Sequence, residues 1–132
     1  MKNLLSLTLI LVLFSSCDPV AQMEAYIENS STEELTIIFA SSDTSFYQEL
    51  KVKPEQKELC QDWYDIGSTY LEPELSYYDS IYIKDMEGNI LKVYKENTEG
   101  KNIYNVPDDW QATKKSRWTY EFLYSIEEEE IN

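Results

Sequence analysis

The chain contains no histidine. Ser–His and Cys–His nucleophilic sites and every His-ligated metal site are therefore excluded. It has only 2 cysteines, Cys17 and Cys60, so there is no disulfide framework of the kind that staples small secreted domains. Basic residues are few: 11 Lys and Arg stand against 25 Asp and Glu, a net charge of −14. Nucleic acid is a poor partner for such a chain, because its binding rests on neutralising phosphates. Long apolar runs are missing too. The longest, Leu4 to Phe14, is well short of the ~20 residues of a membrane-spanning helix.

That run has a different use. Met1-Lys2-Asn3 supplies one positive charge, and Leu4–Phe14 is apolar apart from Ser6 and Thr8. The small residues Ser15 and Ser16 follow, then Cys17. A basic start, an apolar stretch of about 7–15 residues and a small-residue cleavage zone make a secretory signal. A buried helix of a globular domain would show a polar face, and this one shows almost none.

Phe14-Ser15-Ser16-Cys17 resembles the bacterial lipobox, with Phe14 standing where Leu is usual. The resemblance implies cleavage between Ser16 and Cys17, a diacylglyceryl group on the Cys17 sulfur and acyl chains of the palmitate type. Two or three such chains anchor firmly, since each buried CH₂ contributes about 0.8 kcal/mol. The expected organisation is a signal peptide over residues 1–16, a lipidated tether over 17–24, a β-domain over 25–126 and an acidic tail over 127–132. The expected location is the cell envelope, at the outer membrane rather than the inner. The leader and the texture DSIYIK…VYK…NIYN look similar to small lipoproteins of Bacteroidetes. That likeness implies an address and no activity.

Downstream of the leader there is room for one domain with one core. Candidate strands are Ala25–Asn29, Leu35–Phe39, Phe46–Lys53, Asn102–Val106 and Arg117–Ile126. Asp79–Lys84 and Asn89–Lys95 flank a four-residue turn with Gly88 and read as a hairpin. There Ile81 and Ile83 are expected to meet Leu91 and Val93. Residues 55–64 fit either a helix with Leu59 and Trp63 spaced i, i+4 or a strand. Their β neighbours favour strand or loop. Residues 65–78 hold Gly67 and Pro73 and form the longest irregular stretch. The sum is an all-β domain of about seven strands, a single antiparallel β-sandwich or small barrel.

Candidate sites are few. Asp85-Met86-Glu87-Gly88 carries oxygen ligands, but an EF-hand loop needs about twelve residues with Gly at the sixth. A hairpin turn accounts for it. Glu127–Glu130 reads as a solvated tail. Neither implies a metal, and no cofactor is expected. Cys60 reads as a small buried apolar residue. The aromatic load is high, with 11 Tyr and 3 Trp. Flat aromatic rings bind sugar faces and protein hot spots. Trp118, Tyr120 and Tyr124 recur at strand period and are assigned to the core. Trp63, Tyr70, Tyr77, Tyr78 and Trp110 lie near loops and are the candidate binding aromatics. The reading is a membrane-anchored, non-catalytic binding or accessory module whose partner is an envelope protein or glycan. The alternatives are an envelope glycan hydrolase using paired carboxylates, or a structural subunit of an envelope complex.

Overall fold

The computed structural model describes residues 18–132. The expected signal helix, the cleavage site at Ser16 and the lipidation site at Cys17 lie outside the described residues. The elements run β1 (Val20–Asn29), β2 (Leu35–Ala40), β3 (Gln48–Val52), β4 (Gln56–Ile66), β5 (Ser80–Lys84), β6 (Ile90–Tyr94), α1 (Val106–Asp109), β7 (Gln111–Ser116), β8 (Thr119–Ile126) and α2 (Glu128–Ile131). The strands form two four-stranded sheets, β4-β1-β8-β7 and β3-β2-β5-β6. The domain is an all-β sandwich. Among the described residues no helix is long and apolar enough to cross a membrane.

Alternation explains the layers. Along β1, Ala21, Met23, Ala25 and Ile27 are buried while Val20, Gln22 and Glu24 face solvent. β8 does the same with Phe122, Tyr124 and Ile126. Opposite them, β2 and β5 contribute Leu35, Ile37, Phe39, Ile81 and Ile83, all at most 1% exposed. Each such side chain contributes about 1.5–3 kcal/mol of burial. The β1–β2 turn is held by Asn29, which is buried. Its amide donates to the carbonyls of Glu33 at 2.7 Å and Val52 at 2.9 Å, and its Oδ1 accepts from Ser31 N–H at 2.9 Å. An Asn that closes its own turn in this way replaces the hydrogen bonds the chain loses there.

Five local expectations are corrected. First, β1 starts at Val20, so most of the expected tether is strand. Ala, Gln and Glu are weak strand formers. Pairing with β4 on one side and β8 on the other overrides that preference. Second, β1 and β8 run parallel, Gln22 opposite Thr119, in an otherwise antiparallel fold. Third, Asn102–Val106 is a turn entering α1. The Asn102 amide donates to Lys95 O at 2.8 Å and Thr98 O at 3.1 Å, and its Oδ1 accepts from Tyr104 N–H at 3.1 Å. Strand ladders have no use for those bonds. Fourth, β7 (QATKKS) escapes a reading by hydrophobic period because all its residues are exposed on the sheet edge. Fifth, β5 and β6 do form the hairpin, but a register shift between Ile83 and Lys84 sets Tyr94 opposite Ile81 and Lys92 opposite Ile83. Tyr94 is buried in consequence and Val93 is 43% exposed. Residues 55–64, open between helix and strand, are strand β4.

The C-terminal tail also differs from expectation. It folds into the short helix α2, and Glu130 turns inward. Its carboxylate accepts from Tyr124 Oη at 2.6 Å, from Tyr94 Oη, and from Lys101 Nζ at 3.0 Å. Four consecutive glutamates hide one that the core uses.

Candidate functional site: an aromatic groove beside strand β4

The groove begins with an irregularity in β4. Tyr26 pairs with Leu59 and Ala25 with Gln61, leaving Cys60 as an extra residue. This is a β-bulge, and it reverses the alternation beyond it. Gln61, Trp63 and Asp65 now lie opposite Ala25, Met23 and Ala21, on the core-facing side. Asp62, Tyr64 and Ile66 turn to the outer face. Without the extra residue, Trp63 would have pointed outward and Tyr64 inward.

Cys60 itself is buried, with its thiol against the Ala25 carbonyl at 3.2 Å. Burial pushes that thiol up to about 12, so it is a packing residue and a poor nucleophile. Gln61 is the positioning residue of the site. Its amide donates to Glu74 O at 2.7 Å and accepts from Glu74 N–H at 2.9 Å. That pair of bonds clamps the 67–79 loop to β4 as a neighbouring strand would.

The clamp brings three sequence-predicted aromatics together. Trp63, Tyr70 and Tyr77 line one groove of about 480 Å³ with Tyr64, Leu71, Asp65, Glu72 and Glu74. A second depression of about 330 Å³ shares Trp63 and Tyr77 and continues to Phe46, Tyr47 and Gln48. The rings are placed by one another. Phe46 stacks on Tyr77 with centroids 4.6 Å apart and planes 4° from parallel. Tyr70 stands edge-on against Tyr120 at 5.0 Å. Such pairs are worth about 0.5–1.5 kcal/mol beyond area burial. Trp63 remains 46% exposed, because the facing sheet does not cover it.

Of the other two predicted aromatics, Tyr78 lines only the second depression and Trp110 does not join the site. They are 8% and 6% exposed. Tyr78 packs on Phe39 at 5.1 Å, and Trp110 packs on Tyr124 at 5.5 Å while its indole N–H donates to Ile103 O at 2.7 Å. Nearness to a loop placed them outside, whereas one-residue differences in position decide burial. Sequence reasoning missed Phe46, Tyr64 and Gln61. Phe46 opens the candidate strand Phe46–Lys53, but β3 starts at Gln48 and leaves Phe46 exposed before it. Gln61 had no signal, since only the bulge turns it inward.

Ser76 hydrogen bonds hold Glu74 below its ordinary value. Outside the groove, Asp43, Asp85, Glu128 and Glu130 also move down. Among the described residues no group of three Asp, Glu or Cys is arranged to hold a metal ion. The Asp85 turn uses its own carboxylate: Oδ1 accepts from the Glu87 and Asn89 amides at 2.9 and 2.8 Å.

Comparison with protein-family models, with curated proteins and with solved structures finds no match for this chain.

Proposed function

We propose that this protein is a lipid-anchored, non-catalytic binding module of the cell envelope whose β4 groove takes a glycan chain. The observation that carries the reading is the convergence of Trp63, Tyr70 and Tyr77 on one concave surface beside acceptor carboxylates. Flat rings stack on the apolar faces of sugars, and Asp65, Glu72 and Glu74 offer acceptors to their hydroxyl or amino groups. A protein-docking surface would instead favour a broad apolar patch. Anchoring rests on the lipobox-like run ending at Cys17, and the outer membrane is the proposed location.

The test is a calorimetric titration with neutral and amino-sugar oligosaccharides. Saturable binding that Trp63→Ala abolishes supports the reading. A flat titration across the panel rejects a glycan ligand. Steady turnover of a glycan, lost on one Asp or Glu substitution, would replace the module with a hydrolase. For the address, Cys17→Ala should release the protein from the membrane fraction; unchanged fractionation would sink the anchor.

A further inference from the structure

The start of the described chain is tied to one end of the sandwich. Gly67 N–H donates to Pro19 O at 2.7 Å, and Val20 pairs with Ile66. Because β8 runs parallel to β1, its first residues reach the same end: Gln22 N–H donates to Trp118 O at 2.9 Å. The turn joining β7 to β8 therefore lies beside Pro19. That turn is the most basic stretch of an acidic protein, with Lys114, Lys115 and Arg117 all exposed. The Arg117 guanidinium lies 4.6 Å from the ring centre of Trp118, which is half-buried in the turn and not in the core to which strand period assigns it. On the far side of β1 from that turn, on β4, Tyr64 is 73% and Ile66 64% exposed. Cations, interfacial aromatics and an exposed aliphatic on one rim match what the headgroup region of a bilayer selects.

We infer that this rim seats on a bilayer containing anionic phospholipid, and that the seat orients the domain. The inference rests on the Cys17 anchor proposed above. Two residues, Asp18 and Pro19, separate Cys17 from Val20, so the start of β1 stands at most ~11 Å from the Cys17 backbone. That reach is close to the ~8 Å screening length at physiological ionic strength, so the basic turn feels the surface. Asp18 and Asp65 share the rim, with Glu24 and Asp62 paired three residues further up β1 and β4. They are repelled by an anionic surface, so the contact is made on the β7–β8 side. Lys115 is partly engaged by Glu121 at 3.8 Å, leaving Lys114 and Arg117 outside any ion pair among the described residues. The acidic bulk of the domain points away.

The test uses the full lipidated protein in vesicles of phosphatidylethanolamine and phosphatidylglycerol, with bromine on the acyl chains as a tryptophan quencher. Trp118 should be quenched and buried Trp110 spared, with Trp118→Phe assigning the signal. K114E/K115E/R117E changes three exposed residues, so the fold should persist, as circular dichroism checks. This variant should still float with the vesicles but lose the Trp118 quenching, and high salt should weaken quenching in the wild type. Flotation without quenching, or equal quenching in the charge-reversed variant, overturns the seat while leaving the anchor. Failure of the wild type to float overturns the anchor reading and the seat with it.

Discussion

The Tyr124 hydroxyl donates to Glu130 Oε1 at 2.6 Å. This bond fastens the last helix to β8, a central strand of the first sheet. Tyr94, from the opposite sheet, donates to the same oxygen, and Lys101 Nζ donates to Oε2. Glu130→Ala leaves two buried hydroxyls without their acceptor, at a cost of about 1–3 kcal/mol. Exposed Glu129→Ala should stay within about 0.5 kcal/mol of wild type. Urea unfolding of the two variants checks this, and equal midpoints would mean the latch contributes nothing.

The same carboxylate predicts acid sensitivity. Burial alone would raise Glu130, but hydrogen bonds from Tyr124, Tyr94 and Lys101 outweigh it and hold the group below its ordinary 4.5. A depressed carboxyl adds stability that is fully present above the unfolded value. That stability is lost as pH falls through the folded one. Unfolding midpoints measured from pH 7 down to pH 3 should fall less steeply in Glu130→Gln than in wild type. The slope should not vanish, because Asp43, Asp85 and Glu128 are depressed as well. An identical profile in the variant would show that Glu130 is not what titrates.

Gln61→Leu keeps the side chain's bulk and deletes both bonds to Glu74. The loop then loses its register on β4, and the expected loss is about 1–3 kcal/mol. Hydrogen exchange at the Glu74 amide should quicken more than exchange in β1 or β8. Uniform quickening across the domain would assign Gln61 a global role and not a local one.

Trp63 and Trp110 should separate binding from folding. Trp110→Ala removes a buried ring and its bond to Ile103 O, costing about 3–5 kcal/mol. Trp63→Ala, on the open wall of the groove, should cost far less while removing the ligand site. Thermal unfolding of both variants beside the oligosaccharide titration reads the two effects apart. A large stability loss at Trp63 would move that residue into the core.

Much of this protein was legible along the chain. Alternation of apolar and polar residues in β2, β5 and β8 gives strands, and turn residues such as Asn29 and Gly88 divide them, because side-chain period and turn chemistry are local properties. The β character of their neighbours favours strand or loop for residues 55–64, and nearness to loops marks Trp63, Tyr70 and Tyr77. What the tertiary structure decided depends on partners far away in sequence. The parallel pairing of β1 with β8 places the basic turn beside Pro19. One extra residue at Cys60 reverses which of Trp63 and Tyr64 faces inward. Coverage by the opposite sheet buries Tyr78 and leaves Tyr77 exposed. The sequence alone determined an all-β chain rich in aromatics. Only the packing of the two sheets selected which aromatics form the core and which line the groove, since burial belongs to pairs of surfaces and not to single residues.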